Sequence, residues 1–300
     1  MISRSDAAAC GPGRNRWRRA VSLAGQLGLV LAGGMLAPDP LAAQDVADPA
    51  PGSTQSVLIP SLLAPDFLLS VGRIVDPDGF DDQAVILGTT RELAIRELSL
   101  TPPDLVFVPR VLAGRPLEPG ERIQFFELTR PVDDEESGAR IGTLLVPTGI
   151  GRVDSLPGEV ARVRITHAFL PILLGHRARL VTEADTLAAG WHESGVEGVA
   201  ATGHVLTFQD EKAIYPPFDK LFLWQHPWGG AATPDGLAPG DLVQLFRPGP
   251  VERGFQLPDI LIGEAMVVRL DGRIAAAVIT QVSRSDLGIG DLYRRIHRDP

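Results

Sequence analysis

The stretch PGERIQFFELTRP, residues 119–131, recurs about 120 residues later as PGDLVQLFRPGP, residues 239–250. Three further pairs of segments match in the same order along the chain: TPPDLVFV (101–108) with YPPFDKLFLW (215–224), VPTGIGRVDSLPGEVARVRIT (146–166) with LPDILIGEAMVVRLDGRIAAAVIT (257–280), and VGRIV (71–75) with TGHVL (202–206). Glycine, proline and alternating apolar residues recur, and no His, Cys or Ser constellation recurs with them. A repeated scaffold without repeated chemistry favours a binding or structural module.

The repeated segments have the pattern of short β-strands. Val163 and Ile165 alternate with Arg162 and Arg164, as in a strand with one buried face. The Asp271-Gly272 pair predicts a hairpin turn, because glycine readily adopts the positive φ that tight hairpins need. The 26 prolines argue against long helices, and TTRELAIREL (89–98) is the best helix candidate. Each copy offers six or seven strands, so we predict an all-β fold of two tandem small barrels or sandwiches.

The first 43 residues resemble an export signal. Four arginines between Arg14 and Arg19 precede an apolar run, Ala20 to Ala37, and a small-residue site follows, so we predict cleavage after Ala43 and a periplasmic or secreted protein. An uncleaved membrane anchor is the alternative, which the five glycines in and before the run weaken. The predicted organisation is a signal peptide (1–43), a flexible lead-in (44–66), a first β repeat (67–182), a linker (183–197) and a second β repeat (198–297).

The charge of the chain argues against nucleic acid as a partner. The whole sequence has 28 basic and 37 acidic side chains, a net charge of −9. Removing residues 1–43 takes away five arginines and two aspartates, which leaves 23 basic and 35 acidic side chains and a net charge of −12. Phosphate backbones need a cationic face. The single cysteine, Cys10, leaves with the signal, so a disulfide or thiol nucleophile is excluded from the mature chain.

The segment LFLWQHPWGG (221–230) is the candidate contact site. Trp224 and Trp228 flank His226, and the first copy has no counterpart of this aromatic segment. Aromatic faces stack on sugars and form interface hot spots, so these three residues are the candidate ligand or partner contacts. The alternative is that they cover the end of a barrel as part of its core.

The acidic segments and histidines give no firm catalytic or metal site. Asp76–Asp82 (DPDGFDD) has oxygen ligands for calcium, but without a closing Glu a polar turn is the stronger interpretation. The acidic run Asp133–Glu136 predicts a solvated hairpin tip rather than a glycosidase pair. His192-Glu193 begins like a zinc-protease helix, but Val196 stands where the second ligand belongs. We predict no catalytic residue, no metal and no cofactor.

The order of these turn and strand motifs resembles a known group of repeats. The Pro-Pro-Asp segment, the PG[ED] turn with its aromatic strand and the ARVRIT-like strand are similar to the β-rich repeats of exported LysM (peptidoglycan-binding) envelope proteins. A more distant resemblance is to the C-terminal domain of flagellar assembly protein T. The LysM unit itself is absent, since Pro119-Gly120-Glu121 and Pro239-Gly240-Asp241 lead into strands rather than a helix. The resemblance implies an envelope protein but no glycan-binding residue.

We therefore expect an exported, non-enzymatic binding or scaffold protein that contacts peptidoglycan or an envelope protein partner. Two alternatives remain open. One is a carbohydrate-active hydrolase with acids such as Asp210 and Glu211 in a cleft between the repeats. The other is a structural component of a secretion or motility assembly. The sequence does not decide whether the repeats pack together.

Overall fold

The computed structural model describes residues 64–76, 84–90, 99–135, 137–186, 202–225 and 236–296. The first half builds a curled sheet and a small hairpin from β1 (Arg73–Val75), β2 (Ala84–Val85), β3 (Gly88–Thr89), β4 (Leu105–Pro109), β5 (Val111–Leu112), β6 (Arg115–Pro116), β7 (Arg122–Asp133), β8 (Arg140–Ser155), β9 (Val160–Ala168) and β10 (Arg177–Leu180). The second half builds a closed barrel and a hairpin from β11 (Thr202–Phe208), β12 (Lys220–Gln225), β13 (Leu242–Arg247), β14 (Val251–Glu252), β15 (Phe255–Gln256), β16 (Ile260–Asp271), β17 (Ile274–Val282) and β18 (Leu292–Arg295). Two short helices accompany them, α1 (Pro65–Leu68) and α2 (Glu183–Thr186). The predicted all-β fold with tandem barrel-like repeats is confirmed.

The closed barrel has six antiparallel strands in the order β11-β12-β17-β16-β13-β18, and β18 pairs back to β11. Successive side chains of a strand point to opposite faces. On β12, Leu221 and Leu223 therefore belong to the barrel interior, whereas Phe222 between them faces outward into a second apolar cluster. The barrel thus buries apolar side chains on its inside and on one part of its outside.

The curled sheet repeats the strand order of the barrel. Its order β10-β7-β8-β9-β4 corresponds strand by strand to β18-β13-β16-β17-β12. The remaining barrel strand, β11, has its counterpart in residues 84–89. The first part of that segment, β2, pairs with β10, and its last part, β3, pairs with β4, so one short segment bridges both ends of the curled sheet.

The repeated PG[ED] motif has the same structure in both copies. Gly120 and Gly240 adopt φ of +91° and +98°, a conformation that favours glycine. Their amides donate to the carbonyls of Val153 and Val267, at 2.8 and 2.7 Å. The acid that follows caps the turn: a Glu121 carboxylate oxygen accepts from the Glu118 amide, and one of Asp241 accepts from the Ala238 amide, both at 2.8 Å. The motif therefore fixes the start of β7 and β13 against β8 and β16.

One of the matched segments does not occupy an equivalent position. The sequence match pairs VGRIV (71–75) with TGHVL (202–206), but β1 lies beside β8 with Arg73 opposite Leu145, whereas β11 lies between β12 and β18. The expectation of equivalence is wrong for this pair. Both segments are a few apolar residues after a glycine, and such a short signal does not determine which strand becomes the neighbour.

The curled sheet and the barrel share an apolar core, which answers the question that the sequence left open. The sheet side contributes Leu68, Val71, Ile74, Val132, Leu144 and Val146, and the barrel side contributes Leu206, Phe222, Leu242, Met266, Val268, Ala276 and Val278. Separate clusters fill the interior of the barrel and of the curled sheet. We call the cluster between the two bodies the shared core.

Beside the shared core lies a buried ionic network. The Asp185 carboxylate, with a 1% exposed side chain, accepts hydrogen bonds from both Arg179 Nη atoms at 2.9 and 3.1 Å and from Arg73 Nη2 at 2.6 Å. Burial opposes its ionisation, but the hydrogen bonds and charges of Arg179 and Arg73 outweigh it and lower the pKa of Asp185 to about 2. From the barrel, Arg269 donates to the carbonyls of Val71 and Gly72. The network ties the segment before β1 to both bodies.

Several predictions fall wholly or largely outside the described residues. The signal peptide, its cleavage site, the lead-in up to residue 63 and most of the linker lie there, and so do residues 91–98 of the predicted helix. Thr89, at the start of that helix candidate, is in strand β3. In the part of the chain that the structure describes, no helix has the length and apolar character needed to cross a membrane.

Candidate functional site

Three arginines lie side by side on the outer surface of the curled sheet. Arg122 of β7 is directly opposite Arg152 of β8, and Arg152 is directly opposite Arg164 of β9. Opposed residues of antiparallel strands have Cβ atoms about 5 Å apart, and like charges at that distance destabilise the pair. Arg152 and Arg164 are exposed and Arg122 is partly exposed. We call these three residues the arginine row.

The same positions in the barrel are apolar and buried. There Leu242 of β13 is opposite Met266 of β16, and Met266 is opposite Val278 of β17. All three belong to the shared core. One face of the repeat therefore packs between the two bodies in the second copy, whereas in the first copy it is cationic and open to solvent.

The outer arginines of this surface already have carboxylate partners. Asp154 accepts hydrogen bonds from Arg164 at 3.1 Å and from Arg162 at 2.9 Å, and these bonds lower the pKa of Asp154 below its ordinary value. Asp66 accepts from Arg122. Arg152, in the middle of the row, makes no ion pair or side-chain hydrogen bond within residues 64–296 as far as they are described.

A small cavity opens next to the arginine row. Its volume is about 240 Å³, and it is lined by Asp66, Arg122, Gly151, Arg152, Thr166 and His167. We call it the arginine groove. The Thr166 hydroxyl donates to the carbonyl of Ile150 at 3.1 Å and lies 3.2 Å from His167 Nδ1. His167 Nε2 is 3.8 Å from the Asp66 carboxylate.

The short helix α1 places Asp66 in this groove. Pro65 occupies the first turn of α1, where its missing N–H costs nothing. Ser70 Oγ donates to the Phe67 carbonyl at 2.7 Å, and the buried Gln124 side chain donates to the Leu69 carbonyl at 2.6 Å. These bonds hold the end of α1 against β7 at Gln124, two residues from Arg122.

The chemistry of the arginine groove is that of an anion-binding site. Guanidinium groups offer paired donors that match the geometry of a carboxylate or phosphate. Arg122 and Arg152 carry two positive charges against the single negative charge of Asp66. The groove is therefore locally cationic on a chain whose net charge is −9.

The candidate contact residues from the sequence are only partly described. Trp224, near the end of β12, is partly buried and packs against the shared core. His226 and Trp228 lie outside the described residues. The contact function of this segment therefore stays a prediction. Trp224 packs against the shared core between the two bodies rather than in the cluster inside the barrel, and the alternative interpretation is likewise untested.

In the acidic run Asp133–Glu136, Glu136 lies outside the described residues, and one of the other three acids differs from the prediction. Asp133 and Glu135 are exposed, but Asp134 is buried, with Oδ1 at 3.2 Å from His204 Nε2 of β11. Ser137 Oγ donates to the other Asp134 oxygen at 2.6 Å. The tip is not fully solvated, because the β7–β8 loop folds over the barrel.

The other acidic candidates remain separate from the groove. Of Asp76–Asp82, only Asp76 is described, so the calcium hypothesis is untested, and no group of three metal-binding side chains occurs among the described residues. Asp210 lies 3.7 Å from Lys212, and the exposed Glu211 lies 3.3 Å from Arg130 of the curled sheet.

No protein-family model matches this chain, and no curated protein sequence matches it. The geometry of the two bodies and of the arginine groove therefore carries the functional argument. The likeness to LysM-associated repeats and to flagellar assembly protein T stays an expectation from the sequence.

Proposed function

We propose that this chain is an exported, non-enzymatic binding protein of the bacterial envelope, and that it contacts peptidoglycan or an envelope protein through the arginine groove. One observation carries the proposal. The three positions of the arginine row are arginines at the surface in the first copy, whereas the equivalent positions in the second copy are apolar and buried. Side-by-side arginines destabilise a sheet, so their presence on an open face favours a role in binding.

The partner we infer is anionic. Peptide carboxylates occur in peptidoglycan and on acidic protein surfaces, and both suit the paired donors of Arg122 and Arg152. The chain as a whole has a net charge of −9, so long-range repulsion disfavours binding of such a partner away from a cationic surface.

The joined bodies support a scaffold role. The shared core and the Asp185 network connect the curled sheet to the barrel through both apolar and ionic contacts. Strands β7, β8 and β9 and helix α1 supply the lining of the groove, so binding there needs little ordering of loops. The envelope location rests on the signal-like leader and on the resemblance described above.

No observation favours the two alternative roles. The hydrolase alternative expected a cleft between the repeats, whereas apolar side chains of the shared core pack there. The structural-assembly alternative rests on the distant resemblance alone.

Sedimentation with purified peptidoglycan sacculi tests the proposal. We expect the wild type to pellet with sacculi and an Arg122→Gln/Arg152→Gln variant to bind at least about tenfold more weakly, the loss that one charge-assisted hydrogen bond brings. The control is Arg284→Gln/Arg294→Gln, which removes the same charge from exposed arginines of the barrel half. Equal pelleting of both variants would refute a role for the row. Failure of the wild type to pellet would exclude peptidoglycan as the partner.

A further inference from the structure

The arginine groove is too small for a whole drug-sized ligand. Pockets for such molecules have volumes of about 300–1,000 Å³, and the groove measures about 240 Å³. It therefore suits the charged end of a longer molecule, with the rest of that molecule lying along the exposed face of β8 and β9.

The charges in the groove select a monoanion. Arg122 and Arg152 face one carboxylate, Asp66, which leaves one permanent positive charge without a counterpart. A carboxylate supplies one negative charge. A phosphate monoester carries about 1.5–2 negative charges at pH 7 and would leave the groove negative.

The hydrogen-bonding groups suit a peptide terminus. The guanidinium of Arg152 has no partner within the described part of the chain and offers paired N–H donors to a carboxylate. The Thr166 hydroxyl uses its proton on the Ile150 carbonyl, so its oxygen has acceptor capacity for an amide N–H. At the C-terminus of a peptide, the last residue carries both a free carboxylate and an amide N–H.

Asp66 occupies part of this groove as an internal carboxylate. It contacts Arg122, and its carboxylate lies 3.8 Å from His167 Nε2. Its side chain is 52% exposed, so this ion pair contributes little stability and can be exchanged for another carboxylate at small cost.

We propose that the arginine groove binds the C-terminal carboxylate of a peptide, with Arg152 as its main partner and Asp66 as a competing internal carboxylate. This inference rests on the proposed binding function and names the ligand class for the same site. The peptide ends of peptidoglycan and the C-termini of proteins both supply this group.

An NMR titration of the full chain with N-acetyl-Ala-Ala tests the inference, with its C-terminal amide as the matched probe. We expect the free acid to shift the amide signals of Gly151, Arg152, Thr166 and His167 in a saturable manner, and the amide form to leave them unchanged. L-Ala and D-Ala at the last position separate a protein C-terminus from a cell-wall peptide as the source.

Three variants define the roles of the side chains. Arg152→Gln is expected to weaken binding of the free acid about tenfold, corresponding to one charge-assisted hydrogen bond. Asp66→Asn is expected to strengthen it by up to about fivefold, the range of an exposed ion pair. Arg162→Gln removes the same charge from an arginine already held by Asp154, and its affinity should stay within about twofold of wild type.

Three results would overturn the inference: equal binding of acid and amide, no shift of the groove signals by the acid, or an Arg162→Gln loss as large as that of Arg152→Gln. This failure is distinguishable from failure of the proposed function. If the dipeptide binds but sacculi do not, the groove is a carboxylate site and peptidoglycan is the wrong partner. If sacculi binding needs the arginine row but the dipeptide does not bind, the ligand class is wrong.

Discussion

Replacing Asp185 by asparagine should destabilise the whole protein, because Asp185 neutralises two arginines in a buried position. Besides the bonds from Arg179 and Arg73, its carboxylate accepts from the Thr182 amide at 2.8 Å and from the Thr182 hydroxyl at 2.9 Å. Removing one partner of a buried ion pair costs about 3–5 kcal/mol, since the remaining charge is left uncompensated. We expect a loss of unfolding free energy in this range for Asp185→Asn.

The same residue predicts a pH dependence. Its pKa is about 2 in the folded protein, compared with an ordinary value of 3.8. A folded pKa below the unfolded one stabilises the protein above about pH 4, and this stabilisation is lost as the pH falls toward 2. The difference corresponds to about 2 kcal/mol. The wild type should lose this amount over that interval in excess of the Asp185→Asn variant.

Urea denaturation at a series of pH values measures both effects. Asp259→Asn is the control, because Asp259 pairs with Arg294 at 3.6 Å on the surface, where such a pair contributes no more than about 1 kcal/mol. An Asp185→Asn loss as small as that of the control, together with an acid profile parallel to wild type, would show that the buried network does not stabilise the fold.

Three further substitutions test the packing. Phe222→Ala, in the shared core, should lower the free energy of unfolding measured in urea by about 3–5 kcal/mol. Phe255→Ala, at a side chain that is 74% exposed on the β14–β15 hairpin, should leave it unchanged, and similar losses for both variants would argue against a shared core. Tyr293→Phe should preserve the free energy of unfolding or raise it by up to about 1 kcal/mol, because the buried Tyr293 hydroxyl has no hydrogen-bond partner among the described residues. A clear decrease in the free energy of unfolding would reveal a partner for this hydroxyl. Gly203→Ala should lower the free energy of unfolding by about 2 kcal/mol and with it the thermal midpoint, because the new Cβ would overlap the Trp224 carbonyl and approach Tyr293 Cε1 to 2.8 Å. An unchanged midpoint would mean that β11 and β12 can separate slightly.

The turn chemistry made most of the fold predictable. The PG[ED] motifs require a glycine with positive φ and an acid that caps the turn, and both copies meet these requirements with the same backbone bonds. The Asp271-Gly272 prediction is confirmed in the same way, since Gly272 has a φ of +64° between β16 and β17. These signals are local, so they can be recognised without knowledge of the rest of the chain.

The arginine row could not be predicted, because it depends on the register between strands. Arg122, Arg152 and Arg164 are far apart in sequence, and bulges shift the pairing of β8 with both neighbours. A shift of one residue exchanges the two faces of a strand. The alternation of Arg162 and Arg164 with apolar residues predicted an outward face, but it did not indicate which side chains of other strands lie next to it.

The burial of two acidic loop residues could not be predicted from the sequence either. Asp185 falls in the segment predicted as a linker, and Asp134 falls in the predicted exposed tip, yet both carboxylates are buried. Arg179 is only six residues from Asp185, but Arg73 and His204 are brought near these acids by the fold. Charge and polarity predicted solvent exposure for these acids, and long-range pairing overrides that expectation.

The position of Leu242, Met266 and Val278 on the outside of the barrel makes the second half depend on the first. A fragment containing only the barrel would expose these side chains, together with Phe222, as an apolar surface patch, and such patches promote aggregation. The two halves therefore do not behave as independent domains that could be exchanged or deleted separately. In the intact chain, the curled sheet covers this apolar surface.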